Sequence, residues 1–175
     1  DQTVASGAPV NLDGTGSSDP DGDTLDYAWT QTSGPSVSLS GADTATPSFT
    51  APVEAATLVF EVEVCDQEPL CDTDSVTVNS FALGKPKQNK HKGTAKLPVE
   101  VPGEGDVVLE KTKQLKPDAE QATGAETVKL HVVPKRKTKK KLNRKGSVKV
   151  TASVTYTPTG GVPTTQEKQV KLVKK

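Results

Sequence analysis

Methionine and isoleucine are absent from the 175-residue sequence, tryptophan occurs once, and aromatic residues make up 3% of it. Hydrophobic residues reach only 32%. No apolar run approaches the roughly 18 residues of a membrane-spanning helix, so that class is excluded. Six aromatic side chains (one Trp, two Tyr, three Phe) are too few to fill cores and also build an exposed stacking platform. The opening at Asp1, with neither an initiator Met nor a signal peptide, leads us to expect a piece of a longer, exported protein. What is plentiful is Val and Thr, 22 of each, together with 14 Gly and 13 Pro. That is the chemistry of strands and turns.

Net charge is zero, from 22 acidic and 22 basic residues, but the two signs are segregated. Residues 1–80 contain 14 of the acids and no Lys or Arg; residues 81–175 contain the other 8 acids and all 22 bases. An asymmetry this complete marks two units, 1–80 and 81–175.

Apolar residues in the acidic half alternate with period two. Leu58, Phe60, Val62 and Val64 alternate with Glu61 and Glu63, as in a half-buried strand. Val76 and Val78 continue the pattern, and Leu25, Tyr27 and Trp29 form the inner face of another strand. Val10 with Leu12, and Val37 with Leu39, predict two more. Turn signals at Asp13-Gly14, Asp19-Pro20-Asp21-Gly22-Asp23 and Gly34-Pro35 separate them. Short strands with turns at this spacing predict a β-sandwich, with Trp29 as its core plug.

Cys65 and Cys71 fall on the outer faces of two strands joined by a tight turn. Two side chains on one face of a hairpin can meet disulfide geometry, which implies an oxidising, extracellular setting. A metal or redox pair is the alternative, and the spacing without partnering ligands fits it less well.

Several motifs in this half carry a family resemblance. They are Val10-Asn11-Leu12-Asp13-Gly14, Ser17-Ser18-Asp19-Pro20-Asp21-Gly22-Asp23, and Tyr27-x-Trp29-x-Gln31-x-x-Gly34-Pro35. Pro47-x-Phe49-Thr50-Ala51-Pro52 and Val62-x-Val64-x-Asp66 follow in order. Residues 1–79 resemble a PKD domain of the extracellular, K319L-like or REJ-like kind. The resemblance implies an immunoglobulin-like sandwich of about seven strands. It also implies a spacer or adhesive role in a secreted or cell-surface protein. The cysteine pair is an addition to the family pattern.

Asp19, Asp21 and Asp23 alternate along one turn, with Asp13 and Asp66 expected at the same pole. Hard oxygen ligands at this density suit calcium. The EF-hand template fails, since its Gly is displaced and Thr30 stands where a bidentate Glu is required. Some relatives in the resembling family bind calcium at this end, so Asp19, Asp21, Asp23 and Asp66 are the candidate ligands. The competing reading gives these residues to turn-capping and solvated charge.

Period-two alternation also runs through the basic half. Ala95, Leu97, Val99 and Val101 face one way, as do Val107 and Leu109. Val128, Leu130 and Val132 alternate with Lys129 and His131; the even positions from Val148 to Tyr156 and then Val170 and Leu172 follow. A second β-sandwich of about five to seven strands is predicted, with small side chains, a thin core and marginal stability. Phe81-x-Leu83-Gly84-Lys85, Asn89-Lys90-x-Lys92-Gly93-Thr94-Ala95 and Val99-x-Val101-Pro102-Gly103 resemble a Lys-rich module of secreted proteins from high-GC Gram-positive bacteria. Lys139-Lys140-Lys141-Leu142-x-x-Lys145-Gly146 and Tyr156-Thr157-Pro158-Thr159-Gly160-Gly161 belong to the same pattern. No activity follows from that resemblance.

Eight of the eleven residues 135–145 are basic: Lys135, Arg136, Lys137, Lys139, Lys140, Lys141, Arg144 and Lys145. Lying between two strands, the run is expected to be an exposed loop. It is either a solvated connection or a contact for an anionic polymer. With two Arg in the whole chain and no interleaved aromatics, specific nucleic-acid recognition is not expected.

Catalytic signatures are missing. His91 and His131 are the only histidines, both outside the acidic half, so no Ser-His-Asp set can form within it. There is no P-loop, HExxH or zinc spacing. Glu61 and Glu63 read as a strand surface and not as an acid/base pair. A Lys–Asn cross-link is impossible in a half without Lys, and the lysines of the other half point outward. The sequence therefore predicts two tandem immunoglobulin-like sandwiches acting as a non-enzymatic spacer or adhesion module at a bacterial surface. Expected partners are an anionic envelope polymer, a polysaccharide or other surface proteins. The alternatives are a carbohydrate-binding accessory module of a secreted hydrolase and a calcium-dependent adhesion repeat.

Overall fold

The computed structural model describes residues 1–68 and 70–175. By its contacts the chain divides into two compact units, Asp1–Ser80 and Phe81–Lys175. Among the described residues, both are all-β apart from one helix.

In the first unit, strands β1 (Gln2–Ala5), β2 (Pro9–Asn11), β3 (Asp26–Ser33), β4 (Ser48–Thr50) and β5 (Ala56–Cys65) precede β6 (Cys71–Leu83). The 80/81 boundary falls inside β6. β5 pairs antiparallel with β3 on one side and with β6 on the other. β1 joins the far edge of β6, and β2 pairs with β4 in a second, small sheet. Alternation does what the sequence requires: Leu58, Phe60 and Val62 are buried while Glu61 and Glu63 face solvent. Trp29 is buried as expected, and its indole N–H donates to the Thr44 carbonyl at 3.1 Å. Phe49 and Phe60 pack with ring centroids 4.8 Å apart.

Val37 and Leu39 do not form the expected strand. The Gln31 side chain occupies that segment's backbone groups instead. Its amide donates to the carbonyls of Ser33 (3.0 Å) and Pro35 (2.9 Å), and its oxygen accepts from the Val37 N–H (3.0 Å). A backbone whose N–H is taken by a side chain leaves the ladder. Val37 and Leu39 pack against the core from this pinned loop. Gly34 turns the chain there at φ +92°, and a Cβ would sit 2.4 Å from the Thr57 carbonyl oxygen. Only glycine fits on both counts.

The second unit takes the end of β6 and adds β7 (Lys87–Asn89), β8 (Thr94–Val101), β9 (Gly105–Leu109), β10 (Asp118–Ala122) and β11 (Glu126–Val132). Helix α1 (Arg136–Lys145), β12 (Ser147–Pro158) and β13 (Thr164–Val173) complete it. β8 pairs with β7, with β11 and with the end of β6; the other sheet runs β10-β9-β12-β13. The core between these sheets is larger than the small side chains led us to expect. It holds 21 buried apolar residues, against 10 in the first unit, among the described residues. β12 and β13 are long, so strict alternation along them stacks many small groups in register. Phe81 and Tyr156 add aromatic bulk at a centroid distance of 5.7 Å. The Tyr156 hydroxyl donates to the Gly103 carbonyl at 3.0 Å, and burial pushes its pKa up.

Candidate functional site

Cys65 and Cys71 are direct cross-strand partners at the end of the β5–β6 hairpin and form a disulfide. The turn they close is capped by Asp66, whose Oδ1 accepts the N–H of Glu68 (2.8 Å) and of Leu70 (2.9 Å).

The acidic pole is built the same way. Asp13 Oδ1 accepts both the hydroxyl (2.7 Å) and the N–H (3.0 Å) of Thr15, which hold this carboxyl below its ordinary pKa. Asp19 Oδ1 accepts the N–H groups of Asp21 (2.8 Å) and Asp23 (3.0 Å). Each carboxylate thus closes an Asx-type turn in its own loop. An open concavity of about 870 Å³ lies here, with Asp13, Asp19 and Asp66 among its lining residues; Asp21 and Asp23 are not. Asp1, Asp72 and Asp74 line the same concavity, and Asp21 and Asp23 stay tied to it through their N–H bonds to Asp19. Among the described residues, no three of these carboxylates bring ligand atoms within 4.8 Å of one another.

The basic run is not a loop. Residues Arg136–Lys145 form α1, and Lys135 is its N-cap position without a side-chain cap. Lys, Arg and Leu are good helix formers, and Thr138 and Leu142, four residues apart, turn the same stripe inward. Gly146 ends the helix at φ +69°, its N–H donating to the Leu142 carbonyl at 2.8 Å. The helix has no acidic residue in its first turn. Arg136, Lys137, Lys139, Lys140, Lys141, Arg144 and Lys145 are all exposed. Lys135, half-buried, donates from its ammonium to the Thr112 carbonyl. No Lys or Arg is ion-paired among the described residues; the one salt bridge there joins His131 to Asp118 at 3.2 Å.

That bridge was not legible in the sequence. His131, on an outward position of β11, also donates its backbone N–H to Asp118 Oδ2 at 2.6 Å. Asp118, Glu120 and His131 bring three candidate ligand atoms within 4.8 Å, on an exposed to half-exposed surface. His91 is exposed in the β7–β8 turn. Five of the six aromatics, Trp29, Phe49, Phe60, Phe81 and Tyr156, are buried, and Tyr27 is half-buried.

No curated protein matches the chain. Among solved structures, a nucleoside hydrolase-related hypothetical protein from Saccharophagus degradans, associated with carbohydrate metabolism, is 30% identical. That match covers 45% of this chain and only 21% of that protein, with a TM-score of 0.42. The insect immune protein hemolin is 13% identical over all of this chain and 44% of its own, with a TM-score of 0.36. The PKD domain from the KIAA 1837 protein is 30% identical over 46% of this chain and 78% of its own length, with a TM-score of 0.39. The family model described as K319L-like, PKD domain, matches residues 1–79. Residues 1–79 of the chain accordingly belong to the PKD domain family.

Proposed function

We propose that the chain is a non-enzymatic, extracellular spacer and adhesion module of a bacterial surface or secreted protein, whose second unit contacts anionic envelope polymers. The observation that carries this reading is α1: seven exposed cations on ten residues, with no carboxylate pairing any of them among the described residues. Cations left unpaired on a folded surface are available to an external anion. Membership of the PKD family and the Cys65–Cys71 disulfide support the extracellular setting. Burial of five of the six aromatics, with Tyr27 half-buried, weighs against a sugar-stacking accessory module.

Cosedimentation of the whole chain with purified cell wall, insoluble neutral polysaccharide and DNA, at low and high salt, tests the reading. Binding to anionic wall that disappears at high salt is expected. Salt-resistant capture by neutral polysaccharide would move the assignment to the carbohydrate-binding module. A calcium-induced rise in the melting temperature of the first unit would move it to a calcium-dependent repeat.

A further inference from the structure

Helix α1 does not stand alone. Its buried anchor, Leu142, packs over Gly93 at the end of the β7–β8 turn, where a Cβ on residue 93 would lie 2.7 Å from Leu142 Cδ2 and 3.5 Å from Lys174. Gly93 is buried and held at φ +67°. The C-terminal segment crosses the same spot. Lys174 N–H donates to the Gly146 carbonyl at 2.8 Å, and Lys175 N–H to the Lys90 carbonyl at 3.1 Å. The Lys174 ammonium donates to Asn143 Oδ1 at 3.1 Å. Three segments far apart in sequence are thereby tied together, and each is basic: the turn with Lys90 and Lys92, the helix, and the Lys174-Lys175 end.

We propose that these three segments form one composite platform for an extended, flexible polyanion, binding through many single-charge contacts. The proposal rests on the polymer-binding reading above and specifies its site. Three observations shape the ligand. The helix repels itself: Arg136 with Lys140, Lys137 with Lys141, Lys140 with Arg144 and Lys141 with Lys145 are like charges at i,i+4. A polyanion laid along it relieves that repulsion. Its apolar residue faces inward, and every other helix residue except buried Thr138 and exposed Asn143 is a cation. It therefore lacks the outward apolar face by which an interfacial helix enters a bilayer. Most of the platform's cations are lysines, point charges on flexible stems, suited to a run of spaced anions and not to forked recognition of one group. Phosphodiester and carboxylate polymers share the required chemistry.

The test uses the full chain and three triple variants that remove the same charge. One removes Lys90, Lys92 and Lys175 (each →Gln), the platform outside the helix. The second removes Lys137, Lys140 and Lys141 (each →Gln). The third removes Lys87, Lys96 and Lys129 (each →Gln), which are exposed on the outer face of β7, β8 and β11, where strand register places them together. Affinity is read by titration with poly(glycerol phosphate), with polygalacturonate, and with their monomers, at several salt concentrations. The first two variants are expected to lose about tenfold or more in affinity, and the salt slope to fall by about 2 for three cations. The third is expected to lose less than threefold, and the monomers to bind none of the proteins. The polymer bound more tightly at the same salt concentration and charge concentration identifies the source of the anion. Equal losses in all three variants would overturn the platform in favour of net charge alone. Loss only in the helix variant would overturn it in favour of α1 alone, with the polymer-binding reading intact. No binding by the unaltered chain at low salt would instead remove that reading. Lys→Arg versions of the first triple keep the charge; their failure to bind would also count against the platform.

Discussion

In the first unit, Asp13, Asp19 and Asp66 commit a carboxylate oxygen to the N–H groups of their own loops. In the second, the cations of α1 are exposed, and no Lys or Arg meets a carboxylate among the described residues. The charge excess is the same in magnitude on both sides of residue 80, but its placement differs. Asp is short, so its carboxylate reaches the backbone two to four residues on and closes turns. Lys is long and strongly hydrated, and holds its charge away from the backbone that carries it. Removing acids should therefore show up as lost stability in the first unit. Removing helix bases should show up as lost binding by the second.

The largest effects should come from the cores and leave the comparison intact. Phe60→Ala in the first unit should cost about 3–5 kcal/mol, and Leu142→Ala in the second about 2–5 kcal/mol. Trp29 is the only tryptophan, so its fluorescence reports the first unit. Phe60→Ala should lower the denaturant midpoint of that signal. Leu142→Ala should leave it in place while amide exchange accelerates in α1 and β12. A shift of the Trp29 midpoint by Leu142→Ala would break the division into separately responding units.

Next in size is the disulfide. Replacing Cys65 and Cys71 with Ser should cost roughly 2 kcal/mol, toward the low end of the usual range because the closed loop is short. The Trp29 midpoint should fall by the corresponding amount, and dithiothreitol should then have no further effect. Smaller again is Asp66→Ala, which leaves the N–H groups of Glu68 and Leu70 without their acceptor, at a cost of about 1 kcal/mol. An unchanged midpoint would mean that Asp66 is free to serve as the metal ligand that its position first suggested.

Asp13 supplies the pH arm of the same contrast. The Thr15 hydroxyl and N–H lower its pKa, so its contribution is complete above the unfolded-state value and is lost as pH falls through the lower, folded one. The acid limb of the Trp29 midpoint, below about pH 4, should flatten in Asp13→Asn. A limb identical to that of the unaltered chain would assign the acid sensitivity elsewhere.

Much of this was legible from the sequence because period two is a direct consequence of strand geometry. The inward positions 58, 60 and 62, the odd positions from 95 to 101, the buried Trp29 and the paired cysteines all followed from parity. Parity fails where a side chain competes for the backbone, as Gln31 does at Val37. It also fails where the period changes. The run 135–145 hid a helix because its charge obscured the single inward stripe of Thr138 and Leu142, although Gly146 stood at the stop position. Neither the Asp118–His131 contact nor the meeting of Gly93, Leu142 and Lys174 follows from pattern, since each joins segments whose proximity only the packed sheets decide.

The smallest expected change in stability is the sharpest test of the difference between the units. Lys139 and Lys140 are exposed on α1 and stand in no ion pair among the described residues. Lys140 also repels Arg136 and Arg144 across single helical turns. Replacing both with Gln keeps a good helix former at each position and removes that repulsion. The stability of the second unit should move by no more than about 0.5 kcal/mol, and upward if at all. Yet the salt-dependent retention on anionic wall should weaken. Amide exchange in α1 and a wall-binding isotherm, measured on the same protein, separate the two quantities. If protection in α1 drops along with binding, these lysines hold the helix in place, and the second unit uses its charges structurally, as the first does. If binding drops alone, acids that close loops and bases that face outward divide the chain between scaffold and contact surface.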